Sequence, residues 1–468
     1  MWWRNSNGRS ARVPCERAPI HPRRPRMLWD SVATGAGMSF RKIEQFPLAV
    51  LLACHVGGFA CVSAVSEVIG AVGQSTSVIY RASVLVMSLL LVMRLLSGSV
   101  RVASSGVGLA LAVLWAAMLA RLVFDLGILG VQAPRAAGEY LLITVGACLL
   151  PMLAMSAAPR ARTLEKAWVF STVLCALASL AVAWLLLSGG VREWALRLAT
   201  DVLNPITIGY LGASLVVLAV SAPPRLCVVS RVWRVCSPIV RVSLGTVGLL
   251  VAVASGSRGP MLALVLAFLV LGAMSSRRTT SVWLRRTVGL VTAAAAVVAG
   301  LWAMLALGQR IGAGVLERFL WLGADDSTDY RQQAIRGALR QFGENPLVGS
   351  SLLERITMDY PHNLFVESLM ATGLLGGIPL VIFLCYVAHS ALVLIRDRPE
   401  ARWLGMLCLM QLVASMTSGS LFLSDTFWTM SMATLSAASR RTFRLVHRRR
   451  VHAIGSAGIS PYGGVQRA

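Results

Sequence analysis

Four stretches carry residue types whose chemistry could combine. Arg192 and Arg197 stand in REWALRLATDVLNPITIG, Arg258 in SGSRGP, Arg331 in DDSTDYRQQAIRGALRQF, and His362 in DYPHNLFVESLMATGLLGG. Arginines bind a diphosphate through forked, charge-assisted hydrogen bonds and stabilise it as it departs. A neutral imidazole takes the proton from an attacking hydroxyl. Held at a membrane surface, such a set suits group transfer from a lipid-linked diphosphate to an acceptor hydroxyl, with the driving energy stored in the donor.

Local sequence says how each residue would be held. Asn204 and Pro205 read as the cap and first turn of a helix below Arg192 and Arg197, although snorkelling to lipid headgroups accounts for Arg197 equally well and for Arg192 better. Gly256 and Gly259 allow a tight turn and Pro260 starts the next helix, leaving Arg258 among backbone N–H groups suited to an anion. A hairpin needs Gly and Pro in any case, but not an arginine on that side. An amphipathic helix is expected from about 328 to 342, lying on the membrane, with Tyr330, Ala334, Ala338, Leu339 and Phe342 on its apolar face. Asp325, Asp326 and Asp329 suit its N-terminal end, and a solvated charged face would account for Arg336 and Arg340. Pro361 is expected to open a short, re-entrant helix ending near Gly373, with His362 at its positive end and so disposed to be neutral, while Asp359 pushes the other way. A lone histidine is usually structural; its position beside outer arginines favours a base.

The elements that must position these residues are membrane spans. The chain is 56% hydrophobic and 14% charged, with a mean hydropathy of +0.70, against roughly 45–50% apolar residues in a soluble domain. Apolar runs from about 47–66 to 421–438 give about twelve spans. The net charge of +24 follows the positive-inside pattern, since arginines gather in both tails and in alternate loops; no nucleic-acid partner is expected. Residues 1–45 and 440–468 are expected to be basic cytoplasmic tails around one integral membrane domain at 46–439, with 309–372 as the long outer loop. The nine cysteines form no CxxC pair, and neither a disulfide nor a metal site nor a cofactor is indicated.

SGSRGP between two spans, NPLVG in the outer loop and HNLFVESLMATGLLGG entering the next span resemble the O-antigen ligase and polymerase superfamily of bacterial surface-polysaccharide enzymes. The resemblance implies an all-α, GT-C-like fold in the bacterial inner membrane and a metal-independent, inverting glycosyltransferase acting on undecaprenyl-diphosphate-linked oligosaccharide at the periplasmic face. By motif, Arg197 and Arg258 would contact the diphosphate, Arg331 would hold donor or product phosphate, and His362 would be the base. Ser350 and Ser351 follow Gly349 where a second glycine is common, and 333–337 lacks the frequent tryptophan. The acceptor would be a glycan or lipid A-core, and a chain-length regulator would be a partner. Nothing in the sequence separates ligase, polymerase and protein glycosylation; the reading leans to a polymerase. A polytopic transporter or flippase of polysaccharide intermediates is the alternative from another class, and it usually shows repeated halves and matched intramembrane charges.

Overall fold

The computed structural model describes residues 45–439 apart from 72–73, 98–105, 132, 189–191, 195–196, 201, 224–230 and 276–325. The expected tails up to residue 44 and from 440, the 287–308 span, and the outer loop as far as Asp325 lie outside the described residues.

Among the described residues the regular elements are helices, apart from one short ribbon. Its elements are α1 (Gln45–Val68), α2 (Gln74–Ser97), α3 (Gly106–Ile128), α4 (Ala137–Met155), α5 (Ala161–Leu187), β1 (Arg192–Trp194), β2 (Arg197–Ala199) and α6 (Pro205–Val220). There follow α7 (Arg231–Ala254), α8 (Arg258–Ser275), α9 (Asp326–Glu344), α10 (Leu364–Asp397), α11 (Arg402–Thr417) and α12 over 425–439. Among the described residues six helices, in α1 to α5 and α10, are long and apolar enough to cross a membrane, and α6, α7 and α8 contribute shorter apolar segments. This is a multi-pass membrane protein. Helices satisfy every backbone polar group internally, as a hydrocarbon solvent demands. Leu89, Leu90 and Met93 of α2 face outward, whereas α1 and α5 carry small buried residues, Ala49, Ala53, Ala64, Ala167 and Ala178, which let backbones approach.

Two local expectations change. The stretch carrying Arg192 and Arg197 forms a short antiparallel ribbon, with Arg197 opposite Trp194, a local exception within a helical fold. Part of the apolar stripe of α9 packs on protein: Ala334 and Ala338 are buried together with Gly337 and Gln341, while Tyr330 and Leu339 are exposed. The reason is polar. Gln341 donates to Ser351 Oγ (2.7 Å) and Leu353 O (3.2 Å) and accepts from Arg355 N (3.0 Å), which draws α9 onto the segment that follows it.

NPLVG and the glycine of ATGLL turn out to be two halves of one latch. Gly349 and Gly373 have φ of +75° and +61°, and a Cβ on either would come to 2.5 Å from backbone of the opposite segment. Gly373 interrupts α10 where a break was expected, and the N–H groups freed there are used: Leu374 N donates to Pro346 O (2.8 Å) and Leu375 N to Leu347 O (3.0 Å). Ser350 N donates back to Met370 O (2.8 Å). Gly349→Ala is expected to cost about 2–3 kcal/mol, combining left-handed strain with a backbone clash. Thermal unfolding in detergent measures it, and an unchanged midpoint would show that the latch opens without cost.

Candidate functional site

His362 lies one residue before the α10 cap, in a left-handed conformation (φ +54°). Such strain on a non-glycine residue persists only where the surroundings hold it. Asn363, not Pro361, starts the helix: its Oδ1 accepts from Phe365 N (3.1 Å) and Val366 N (3.0 Å), while its Nδ2 donates to Met416 O (2.9 Å). The cap therefore ties the start of α10 to the end of α11 and sets the imidazole outside the helix.

The imidazole is mostly buried, its side chain 19% exposed, and packs against Tyr360 with ring centroids 4.4 Å apart and the planes tilted by 58°. Asp359 Oδ2 is 3.9 Å from His362 Nε2, beyond hydrogen-bond range, and accepts a long bond from Tyr330 OH at 3.3 Å. Burial lowers the His362 pKa most; Asp359 raises it and the Arg331 guanidinium lowers it further, with the net shift downward. The ring is thus disposed to be neutral, as the sequence predicts, but mainly because of burial. Burial also pushes the Tyr360 hydroxyl up to about 12, against Arg135 and Arg331, which pull it down. Arg331, half-buried in the first turns of α9, therefore acts on both rings of the site.

Arg258 opens α8 directly after a turn in which Gly256 takes a φ of +63° and Ser257 N donates to Ser255 Oγ (3.2 Å). The turn is pinned from two sides. A Cβ on Gly209 of α6 would meet Pro260 at 2.7 Å, and one on Gly259 would meet Thr417 Oγ1 at 3.5 Å and Tyr210 OH at 3.7 Å. Met416 receives the Asn363 amide, so the Arg258 turn and the His362 loop both rest on the last turn of α11. At the start of α6, Asn204 Oδ1 accepts from Thr207 N (2.8 Å) with Pro205 behind it, as its sequence predicts. Arg197 begins β2, which ends at Ala199 and leads into this cap through a turn where Thr200 Oγ1 accepts from Leu203 N (2.9 Å).

Three charged groups, to which the sequence alone assigns no role, hold the frame. Arg121 Nε donates to Ala371 O (2.7 Å), and its two terminal nitrogens donate to the carbonyls of Ser350 (3.1 Å), Val348 (3.0 Å) and Gly349 (2.8 Å). Asp125, wholly buried, accepts from Arg121 Nη1 (3.2 Å) and Leu352 N (2.5 Å). An ionisable pair spaced i, i+4 at the end of an apolar run is a signal that could have found them. Glu367 is buried and accepts from Ser420 Oγ (2.9 Å) and Leu421 N (2.6 Å), fixing the turn between α11 and α12.

Residues 242–381 match the family model described as O-Antigen ligase. The match supports the resemblance of this stretch to the O-antigen ligase/polymerase superfamily. The matched stretch runs from within α7 into α10 and contains Arg258, Arg331 and His362, together with both glycines of the latch; Arg197 lies before it. A match of this kind fits a protein that works on lipid-linked polysaccharide within a membrane. No curated protein matches the chain.

Proposed function

We propose that this chain is a glycosyltransferase that moves glycan from an undecaprenyl-diphosphate-linked donor to an acceptor hydroxyl on the periplasmic face, in polymerisation or ligation of O-antigen or exopolysaccharide. One observation carries the reading: a mostly buried imidazole within the electrostatic reach of Arg331 rests on the same helix end as the Arg258 turn. His362 is the base, accepting the acceptor proton as the new glycosidic bond forms at the anomeric carbon with inversion. The anomeric carbon–oxygen bond breaks, and the diphosphate leaves on its lipid carrier. Arg197, Arg258 and Arg331 bind that diphosphate and stabilise the charge it gains. The reaction needs no metal.

The architecture proposed around it has about twelve helices in a GT-C-like arrangement. The domain spans 46–439, with 309–372 as the periplasmic loop and both tails in the cytoplasm of a bacterium whose inner membrane holds the protein. The acceptor is a growing glycan or lipid A-core, and a chain-length regulator is a natural partner of a polymerase.

Purified protein in proteoliposomes, given undecaprenyl-diphosphate-linked repeat units, is expected to lengthen them on a gel and to do so equally in EDTA. Loss of transfer on chelation would sink metal independence. Movement of the lipid-linked glycan across the bilayer without any lengthening or transfer would favour a flippase. In a deletion strain, single repeat units left on the carrier mark a polymerase, whereas long carrier-linked chains mark a ligase.

A further inference from the structure

A cavity of about 310 Å³ adjoins this site, at the lower end of the range usual for small-molecule pockets, about 300–1,000 Å³. Its polar lining includes Tyr80, Arg81, Arg135, Thr207, Gln411 and Asp425, which belong to four different helices and one loop. All six lie outside the stretch matched to the family, and only Thr207, in NPITIG, stands in a stretch the sequence singles out.

Two features of the wall point to a ligand. The first is an irregular backbone: Cys54–Gly58 of α1 and Leu142–Leu149 of α4 are π-helical where they contribute His55 and Ile143 to the lining, and π turns recur at functional sites. The second is an unspent acceptor. His55 is 6% exposed, its Nδ1 donates to Leu51 O (2.9 Å), and its buried Nε2 has no hydrogen-bond partner among the described residues. A buried acceptor left unpaired is costly, and a hydroxyl entering the cavity would satisfy it.

Charge decides which ligand fits. Arg81 and Arg135 both pair with Glu139, and Asp425 supplies a further carboxylate to the wall. Two cations are thus offset by two anions, so the cavity does not select an anion. Thr207, Gln411 and Asp425 offer donors and acceptors, while Phe59, Ile206 and Leu211 offer apolar surface. A ring carrying many hydroxyls and an apolar face matches both. Its place in the fold also matters: Tyr210 lines the cavity with its hydroxyl beside Gly259, the neighbour of Arg258, and Arg135 acts electrostatically on Tyr360, two residues from His362.

We infer that this cavity is a subsite for a neutral sugar, seating the end of the acceptor glycan whose hydroxyl is delivered to His362. The inference rests on the transferase reading, and its test separates the two. The probe is a short neutral oligosaccharide released by mild acid from the producing cell's own surface glycan. Saturation-transfer NMR on the full-length protein in detergent reads binding without any turnover. Wild type and His362→Ala are both expected to bind it, whereas Gln411→Leu and Thr207→Val, the second changing only a hydroxyl for a methyl, each weaken binding about tenfold. In the transfer assay the same two variants raise the acceptor KM by a like factor, with the loss confined to KM. Equal binding by wild type and both variants overturns the subsite while leaving the transferase intact. No binding by wild type overturns it too. Binding that depends on Gln411 and Thr207 in a protein whose His362→Ala variant still makes normal polymer would keep the sugar site and remove the transferase reading.

Discussion

Replacing His362 by alanine is expected to lower glycan transfer by about 10²–10⁴-fold, the usual contribution of a positioned general base, with lipid-linked donor accumulating at normal membrane levels of the protein. The pH profile separates a base from a structural ring. Transfer needs the neutral imidazole, and burial with Arg331 holds its pKa below the ordinary histidine value of 6.5. Wild-type activity should therefore be flat through neutrality and fall only in acid, below 6.5. Arg331→Gln removes one of the lowering influences, so its acid limb should move to higher pH. The same shift acts on stability: below 6.5 the unfolded chain takes up a proton that the folded ring resists, so stability present above 6.5 is lost as pH falls toward the folded pKa. A His362→Ala variant with wild-type transfer and an unchanged acid limb would return the residue to a structural role.

Arg121→Met should be the most damaging substitution away from the candidate site. It leaves Asp125 buried without its cation and withdraws donors from four carbonyls, a loss of about 3–5 kcal/mol. The four carbonyls belong to both halves of the latch, 348–350 and 371. The latch in turn sets α9, which carries Arg331, against the first half of α10, which follows His362. Transfer should fall together with the unfolding temperature. Adding Asp125→Asn should restore part of the stability, since an amide oxygen can still accept from Leu352 N while the unpaired charge is gone. An unaltered melting temperature in Arg121→Met would show that the carbonyls find other donors.

Much of the site is legible in the sequence because its signals are local. A cap such as Asn204 with Pro205 behind it, or a break such as Gly373, depends on a few consecutive residues, and both stand where the sequence puts them. The start of α10 is different. Pro361 and Asn363 both suit a helix N-terminus; Asn363 takes the cap, accepting from Phe365 N and Val366 N while its amide is tied to Met416, 53 positions away. The α9 stripe follows a related logic. Periodicity shows that a face is apolar, but lipid and protein satisfy it equally, and the polar ties of Gln341 bring the Ala334 and Ala338 part of it onto protein.

Composition and charge pattern by themselves determined that the chain is a multi-pass membrane protein, because about twenty apolar residues must cross a bilayer and basic loops remain on one side. Motif spacing brought His362, Arg258 and Arg331 forward as a group. Tertiary structure alone decided that NPLVG and Gly373 lock together, that Arg121 and Asp125 hold the lock, and that a polar cavity adjoins the site. Those features are made by residues far apart in the chain, 250 positions for Arg121 and Ala371 and 371 for His55 and Thr426, and contacts across such distances leave no periodic trace in a single chain.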